Sequence, residues 1–381
     1  MNKNAKSILL GMIMLATSGV SIGAPSCEQV VQWYELTLRF PFLPGMFNPQ
    51  GEIGYYPECF GGSYTTMLVQ INNSSFRQAT AISSNVASRF QSSQIGPQVS
   101  TNLTGIAAGD KTKSWNVWGN LTDNNNSQSY QYIDRSITKN DSNILTTVLG
   151  ADLSISPDMV VGISTSFDRG NVSGNNNMSI FVPENKVLSE GYVVAPYIGW
   201  QINNLLTLDA SAGVGQGKLN MSGGVTAEAD RWFAATNLSY NRWIDNIQLT
   251  GKLGYLHGTE KYGASKTPLF LPIGLPTMID SVAGTASKNS IDQMHLDLQA
   301  GYWLSGLMPF VGLAYTEDLH RSTTLVGAIN DPIGKSALVW SLGVNYYSIR
   351  NGVTGGIVYT EENDRTNQNN HNLTANINLR F

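Results

Sequence analysis

The last nine residues of the chain alternate in polarity without a break. Leu373, Ala375, Ile377, Leu379 and Phe381 are apolar, and Thr374, Asn376, Asn378 and Arg380 stand between them. Successive side chains on a strand point to opposite faces, so this segment predicts a strand with one apolar and one polar face. The pattern recurs at Leu206, Leu208, Ala210, Ala212 and Val214, at Ile247, Leu249, Leu253 and Tyr255, and at Met294, Leu296, Leu298 and Tyr302. Counting such runs from Ser114 onward predicts twelve strands. Tight turns are expected at Ser156-Pro157-Asp158, Asn203-Asn204, Asp245-Asn246, Ser305-Gly306 and Arg350-Asn351-Gly352. Long polar segments fall between them, at about 122–142, 170–189, 218–228, 259–288, 318–335 and 362–369. An even number of strands with short turns on one rim and long loops on the other is what a membrane-spanning antiparallel barrel requires. A soluble sandwich has no reason to alternate its connections so regularly.

Composition supports the barrel. Charged residues make up 13% of the chain, against about 25% in soluble domains. Hydrophobic residues nevertheless reach only 41%, and glycine is abundant at 38 residues. Few charges without high hydrophobicity suits a wall whose outer face meets lipid and whose inner face meets water through small polar side chains. The net charge of -4 gives no basic footprint, so no nucleic-acid partner is expected. Aromatic residues near strand ends (Trp115, Trp118, Trp200, Trp232, Trp243, Trp303, Trp340, Tyr197, Tyr240, Tyr255, Tyr302, Tyr346, Tyr359) are expected to form girdles at the two membrane interfaces.

The N-terminal part has a different character. Lys3 and Lys6 precede a short apolar run, Ile8 to Val20, with small residues at Ser21, Gly23 and Ala24. That is the layout of a cleaved secretory signal peptide over residues 1–24. Cys27 and Cys59 follow in a segment spanning 25–71. Paired in an oxidising compartment, they would close a loop worth roughly 3 kcal/mol. From 72 to 94 the apolar positions Phe76, Ala79, Ile82, Val86 and Phe90 recur at three- and four-residue spacing, which predicts a helix with a narrow apolar stripe. Gly96-Pro97 ends it, and a polar linker leads to residue 113.

The order of these parts resembles the translocator domain of an autotransporter. The resemblance rests on the opening Trp115-Asn116-Val117-Trp118-Gly119, on Val148-Leu149-Gly150-Ala151-Asp152 followed by Val161-Gly162-Ile163, and on the closing Leu379-Arg380-Phe381. It covers about 115–381. It implies an all-β membrane fold, a 12-stranded antiparallel transmembrane barrel at 114–381, with the helix and linker of 72–113 in the pore. It further implies a Gram-negative outer-membrane location and insertion into lipid. Periplasmic chaperones and the outer-membrane assembly machinery would be the partners, the latter reading the strand Leu373, Ala375, Ile377, Leu379 and Phe381. The barrel would be a monomer that exports or displays the segment 25–71, a reduced passenger with scope for contact with a host surface. The chain departs from the family in that this segment is too short for a stacked β-helix. A surface protein or diffusion channel that secretes nothing is the alternative expectation.

Candidate sites follow from the same frame. Some autotransporters cut themselves at an Asn-Asn pair, and Asn72-Asn73 is a candidate for that, with a linker and helix cap as its simpler reading. His320-Arg321-Ser322 invites comparison with a barrel phospholipase that uses a His-x-Ser pair, but Thr323 follows instead of Asn and the site reads as a polar loop, so no enzyme is expected. The four histidines lack ligand spacing, so neither metal nor cofactor is expected. Asp152, Asp209, Lys252, His295, Asp297 and Arg380 fall on inward polar faces and are expected to line the lumen as a charge network. Within 259–288, Leu269 to Pro276 is apolar and reads as part of a long hairpin extension, with folding into the barrel mouth or contact with a host surface as the alternative.

Overall fold

The computed structural model describes residues 76–87, 115–131, 137–176, 185–221, 226–263, 266–268, 280–282, 287–322, 333–348 and 351–381. Among the described residues one helix, α1, covers 76–87. Fourteen strands follow in chain order: β1 (Trp115–Gln131), β2 (Ile137–Ser156), β3 (Met159–Asn176), β4 (Asn185–Gln201), β5 (Leu206–Met221), β6 (Thr226–Ile244), β7 (Ile247–Tyr262), β8 (Lys266–Pro268), β9 (Asp280–Val282), β10 (Ser287–Tyr302), β11 (Leu307–Ser322), β12 (Ser336–Ser348), β13 (Val353–Asn363) and β14 (Gln368–Arg380). The short β8 and β9 form a hairpin attached to β6 through Thr226 and Lys266.

The other twelve strands make a closed ring. Each pairs antiparallel with its sequence neighbours, and β14 pairs with both β13 and β1. Leu379 lies opposite Val117, and the Phe381 amide donates to the Trp115 carbonyl at 2.9 Å. Closure is a physical necessity here, because an unpaired strand edge in hydrocarbon leaves backbone N–H and C=O groups with no partner. Four of the expected tight turns join β2–β3, β4–β5, β6–β7 and β10–β11 on one rim, and Asn351-Gly352 lies on the same rim ahead of β13, with Arg350 outside the described residues.

Parity decides what each strand shows to lipid. Leu249, Leu298, Val311, Leu342, Ile357, Leu373 and Ile377 are exposed on the outer face. Outward aromatics bound this apolar band: Trp200 and Tyr192 on β4, and Tyr240 and Trp232 on β6, are each eight residues apart. That spacing is about 26 Å of strand, or about 20 Å along the membrane normal at the usual barrel tilt.

Two expectations need correction. Much of the polar sequence at 122–142, 170–189 and 218–228 is strand, since β1 runs to Gln131, β2 begins at Ile137 and β3 continues to Asn176. Above the apolar band both faces are wet, so the strands lose the alternation that marks them. Polar cross-strand bonds hold them there, as where Asn143 donates to Asp123 and to Asn125. The other correction concerns aromatic residues. Trp118 and Tyr197 are buried inside the barrel. Trp243 and Trp303 are likewise half-buried and in ring contact with one another. Only one parity of each strand meets lipid, and nearness to a strand end does not choose it.

The lipid face and the lumen face should tolerate charge very differently. Leu298→Arg places a cation near the middle of the apolar band and should cost roughly 2–4 kcal/mol of folding stability. Gln299→Arg, one residue on and turned inward, should cost far less. Chemical unfolding of the two variants from lipid vesicles measures the difference.

Candidate functional site

The lumen is divided by α1. An isolated helix of this length is marginal in water, so its stability must come from the surface it covers. Ala79, Ile82 and Val86 lie on one stripe and are fully buried. They share an apolar cluster with Trp118, Val148, Val160, Val193, Ala195, Tyr197, Phe233, Ala235 and Leu256. All of these wall residues belong to β1–β4, β6 and β7. The helix therefore rests against one half of the barrel. Its opposite face, with Arg77, Thr80, Ala81 and Ser84, borders a cavity of about 440 Å³ against β10–β14 and β1. That half of the wall is amide- and hydroxyl-rich: Asn120, Asn124, Thr316, Ser341, Thr360 and Asn372 line it.

Polar contacts fix the direction of the helix. Arg77 Nη1 donates to Asn370 Oδ1 at 3.1 Å, close to the loop-side end of β14. Arg231 Nη1, near the loop-side end of β6, donates to Gln78 Oε1 at 3.0 Å. Asn237 Nδ2, six residues further along β6, donates to Ser83 Oγ at 2.9 Å. The helix thus enters at the long-loop rim and runs toward the tight-turn rim.

Arg231 is the centre of a buried charge cluster. It donates through Nε to Glu260 and through Nη1 to Asp168, both at 2.7 Å, and all three side chains are fully buried. Its guanidinium fills a slot that two glycines clear. A Cβ at Gly191 or at Gly217 would collide with it. A buried cation stabilises nothing unless its partners surround it, and here two carboxylates and an amide do so.

The inward charges expected from the sequence occupy different depths. Asp152 is buried near the turn-side rim, where it accepts from Asn116 Nδ2 at 3.0 Å and from Tyr197 OH at 2.9 Å. Tyr197 in turn accepts from Trp118 Nε1 at 2.7 Å. Asp209 accepts from Asn237 Nδ2 at 2.8 Å, the same amide that holds Ser83. Lys252 and Asp297 form a 2.6 Å ion pair on neighbouring strands, with His295 beside Asp297. Arg380 stands on the inward parity of β14, opposite Asn116. Two groups assemble away from these. One is the Arg231 cluster. The other, near the loop rim, has Asp318 accepting from Gln293, Arg321 and Arg365. Arg365 also donates to Glu362 and to the Gly334 carbonyl.

Sequence reasoning missed Arg231, Asp168, Glu260 and Asp318, and inward parity was the signal that could have found the first of them. His320 and Arg321 lie on β11 and not in a loop, because the strand continues above the apolar band. Arg321 turns to Asp318 while His320 is exposed. Cys27, Cys59, Asn72, Asn73, the signal segment 1–24 and the apolar run Leu269 to Pro276 lie outside the described residues.

The cluster around Arg231 gives a sharp expectation. Arg231→Met leaves two buried carboxylates without a counter-charge and should cost about 3–5 kcal/mol. A triple variant, Arg231→Met with Asp168→Leu and Glu260→Leu, should recover much of that loss. Guanidinium unfolding of the barrel followed by tryptophan fluorescence measures both.

The family model of the autotransporter beta-domain matches residues 117–266, from β1 to the start of β8. Among solved structures, the chain is similar to the translocator domain of the autotransporter NalP from Neisseria meningitidis. Identity is 14%, with 80% of this chain and 99% of that one covered and a TM-score of 0.53. It is also similar to the beta domain of the Bordetella autotransporter BrkA, at 14% identity over 70% and 100% of the two chains, TM-score 0.48. The transport unit of AIDA-I from Escherichia coli gives 14% identity over 71% and 92%, TM-score 0.49. No curated protein matches the chain. At this identity the likeness to solved structures speaks for the fold, and the family match adds the sequence pattern of its first seven strands. The described strands thus form a twelve-stranded outer-membrane barrel with the fold of an autotransporter translocator domain, and residues 117–266 carry the sequence pattern of the autotransporter beta-domain.

Proposed function

We propose that this barrel displays at the cell surface the short segment, residues 25–71, that precedes its lumenal helix. The observation that carries the reading is the direction of α1. Outer-membrane barrels keep their short turns in the periplasm and their long loops outside. Because Arg77 and Gln78 bond near the loop-side ends of β14 and β6, the first turn of α1 lies toward the outward mouth and its last turn toward the periplasmic rim. Strand β1 begins at that same periplasmic rim.

Residues 1–24 would direct export and be removed, 72–113 would form the plug and linker, and 114–381 the barrel. Inside the periplasm, chaperones would hold the unfolded strands, and the outer-membrane assembly machinery would engage β14. Its apolar face, Leu373, Ala375, Ile377, Leu379 and Phe381, is the feature available to such recognition. Cys27 and Cys59, if joined, would give the displayed segment the one covalent constraint its length allows. Asn72 and Asn73 precede the plug, so cleavage there would release the displayed segment and leave α1 behind. Contact with a host surface would fall to the displayed segment and the outer loops. The lumenal charges Asp152, Asp209, Lys252, His295, Asp297 and Arg380 would position the plug and tune the interior, with no catalytic role.

An epitope inserted near Glu52 should be removed by protease added to intact cells. Protection of that epitope, with a folded barrel in the membrane, would overturn surface display. Mass spectrometry of the membrane-embedded chain separates retention from release: cleavage between Asn72 and Asn73 gives a fragment that starts at Asn73.

A further inference from the structure

The helix does not fill the lumen, which raises the question of what closes the other half. The cavity beside α1 extends from Arg321, Arg365 and Gln368 at the loop side to Gln299, Asn345 and Asn376 toward the turns. Amides, hydroxyls and charged side chains make up much of its lining, with Lys252 paired to Asp297 and Arg365 to Asp318. Water and small ions are compatible with such a lining.

Below it the chemistry changes. Trp243 at the end of β6, Trp303 in the β10–β11 turn and Tyr347 at the end of β12 are in ring contact, with centroids 6.2 and 5.5 Å apart. Strands β6 and β12 are separated by four strand spacings in the ring, about 19 Å along the wall. Two short ring-to-ring steps bridge that arc, so the rings lean inward across the lumen. Met308 and Phe310, both buried, face inward from β11 between them. The Trp243 indole nitrogen lies out of solvent. A narrow apolar constriction in a wet pore stops ions by excluding the water they carry.

We infer that the resting barrel is closed by two separate seals. Helix α1 closes the half lined by β2–β7, and the Trp243–Trp303–Tyr347 cluster closes the half lined by β10–β12 at its periplasmic end. The second seal is a hydrophobic gate against hydrated ions and small hydrophilic solutes, and it belongs to the wall, not to the plug. The cations lining the cavity above it exceed the carboxylates by one, so a pore opened there discriminates only weakly, in favour of anions. This inference does not rest on surface display, since it concerns the barrel whether or not residues 25–71 reach the outside.

The test is conductance in planar bilayers bathed in potassium chloride, using the full chain with its helix. Trp243→Ala with Tyr347→Ala should raise the conductance several-fold over the parent. Trp243→Phe with Tyr347→Phe, which keeps the rings, should leave it at the parent level. Adding Ser341→Trp, which fills the wet half, should abolish the gain. Retention of the helix is read separately from protection of Arg77 against trypsin. An unchanged conductance in a folded alanine double variant would overturn the second seal. So would an equal rise in the phenylalanine variant, or a rise that appears only together with loss of protection at Arg77.

Discussion

The rest of this structure depends on one constraint: in hydrocarbon, every backbone N–H and C=O must find a partner within the protein. Pairing of β14 with β1 satisfies it by removing the last two edges. Once the ring is closed, each strand has one face for lipid and one for the lumen, and the side chains sort by parity alone. Ile377 points out and Asn376 and Asn378 point in because the ladder that joins Leu379 to Val117 admits no other register. A slip by one residue would put Arg380 in lipid and Leu379 in water.

Closure also creates an interior that has to be managed. The lumen is lined by two materials. Along β2–β7 it carries Val148, Val160, Val193, Phe233 and Leu256, an apolar patch that a helix with an Ala79–Ile82–Val86 stripe can cover. Along β10–β14 it carries amides and hydroxyls that prefer water. The amphipathic helix obeys both at once, packing its apolar stripe on the first and turning Thr80 and Ser84 toward the second. Its eccentric seat follows from the hydrophobic effect acting inside a barrel whose wall is only half apolar.

The strands and turns in the membrane were legible because lipid on one side and water on the other produce a strong period of two. The helix was legible for the same kind of reason, through Ala79, Ile82 and Val86. Legibility failed where that contrast vanished. Above the apolar band, stretches such as 122–131 are polar on both faces, and they looked like loops although they continue β1. Glu260 and His320 were hidden in this way. Parity within the membrane was available but not applied to every aromatic: Trp115 and Trp118 are three residues apart, so they must face opposite ways, as must Tyr302 and Trp303. Inward position of Asp209 and Lys252 could be read from the sequence, whereas their partners Asn237 and Asp297 depend on the register between strands.

The way the helix is held says something about the order of events. Arg231 keeps Asp168 and Glu260 whether or not Gln78 is present, so the buried ion pairs of the wall form without the plug. Asp209 keeps Asn237 in the same way when Ser83 leaves. What the wall loses on departure of α1 is a few neutral or singly charged hydrogen bonds, each worth about 1–3 kcal/mol, and the cover over its apolar patch. A wall built like this can close first and accept the helix afterwards. Had Gln78 been a carboxylate that neutralised an otherwise lone Arg231, ring closure would have required the helix already in place. The chemistry of this slot therefore separates the folding of the barrel from the seating of its plug.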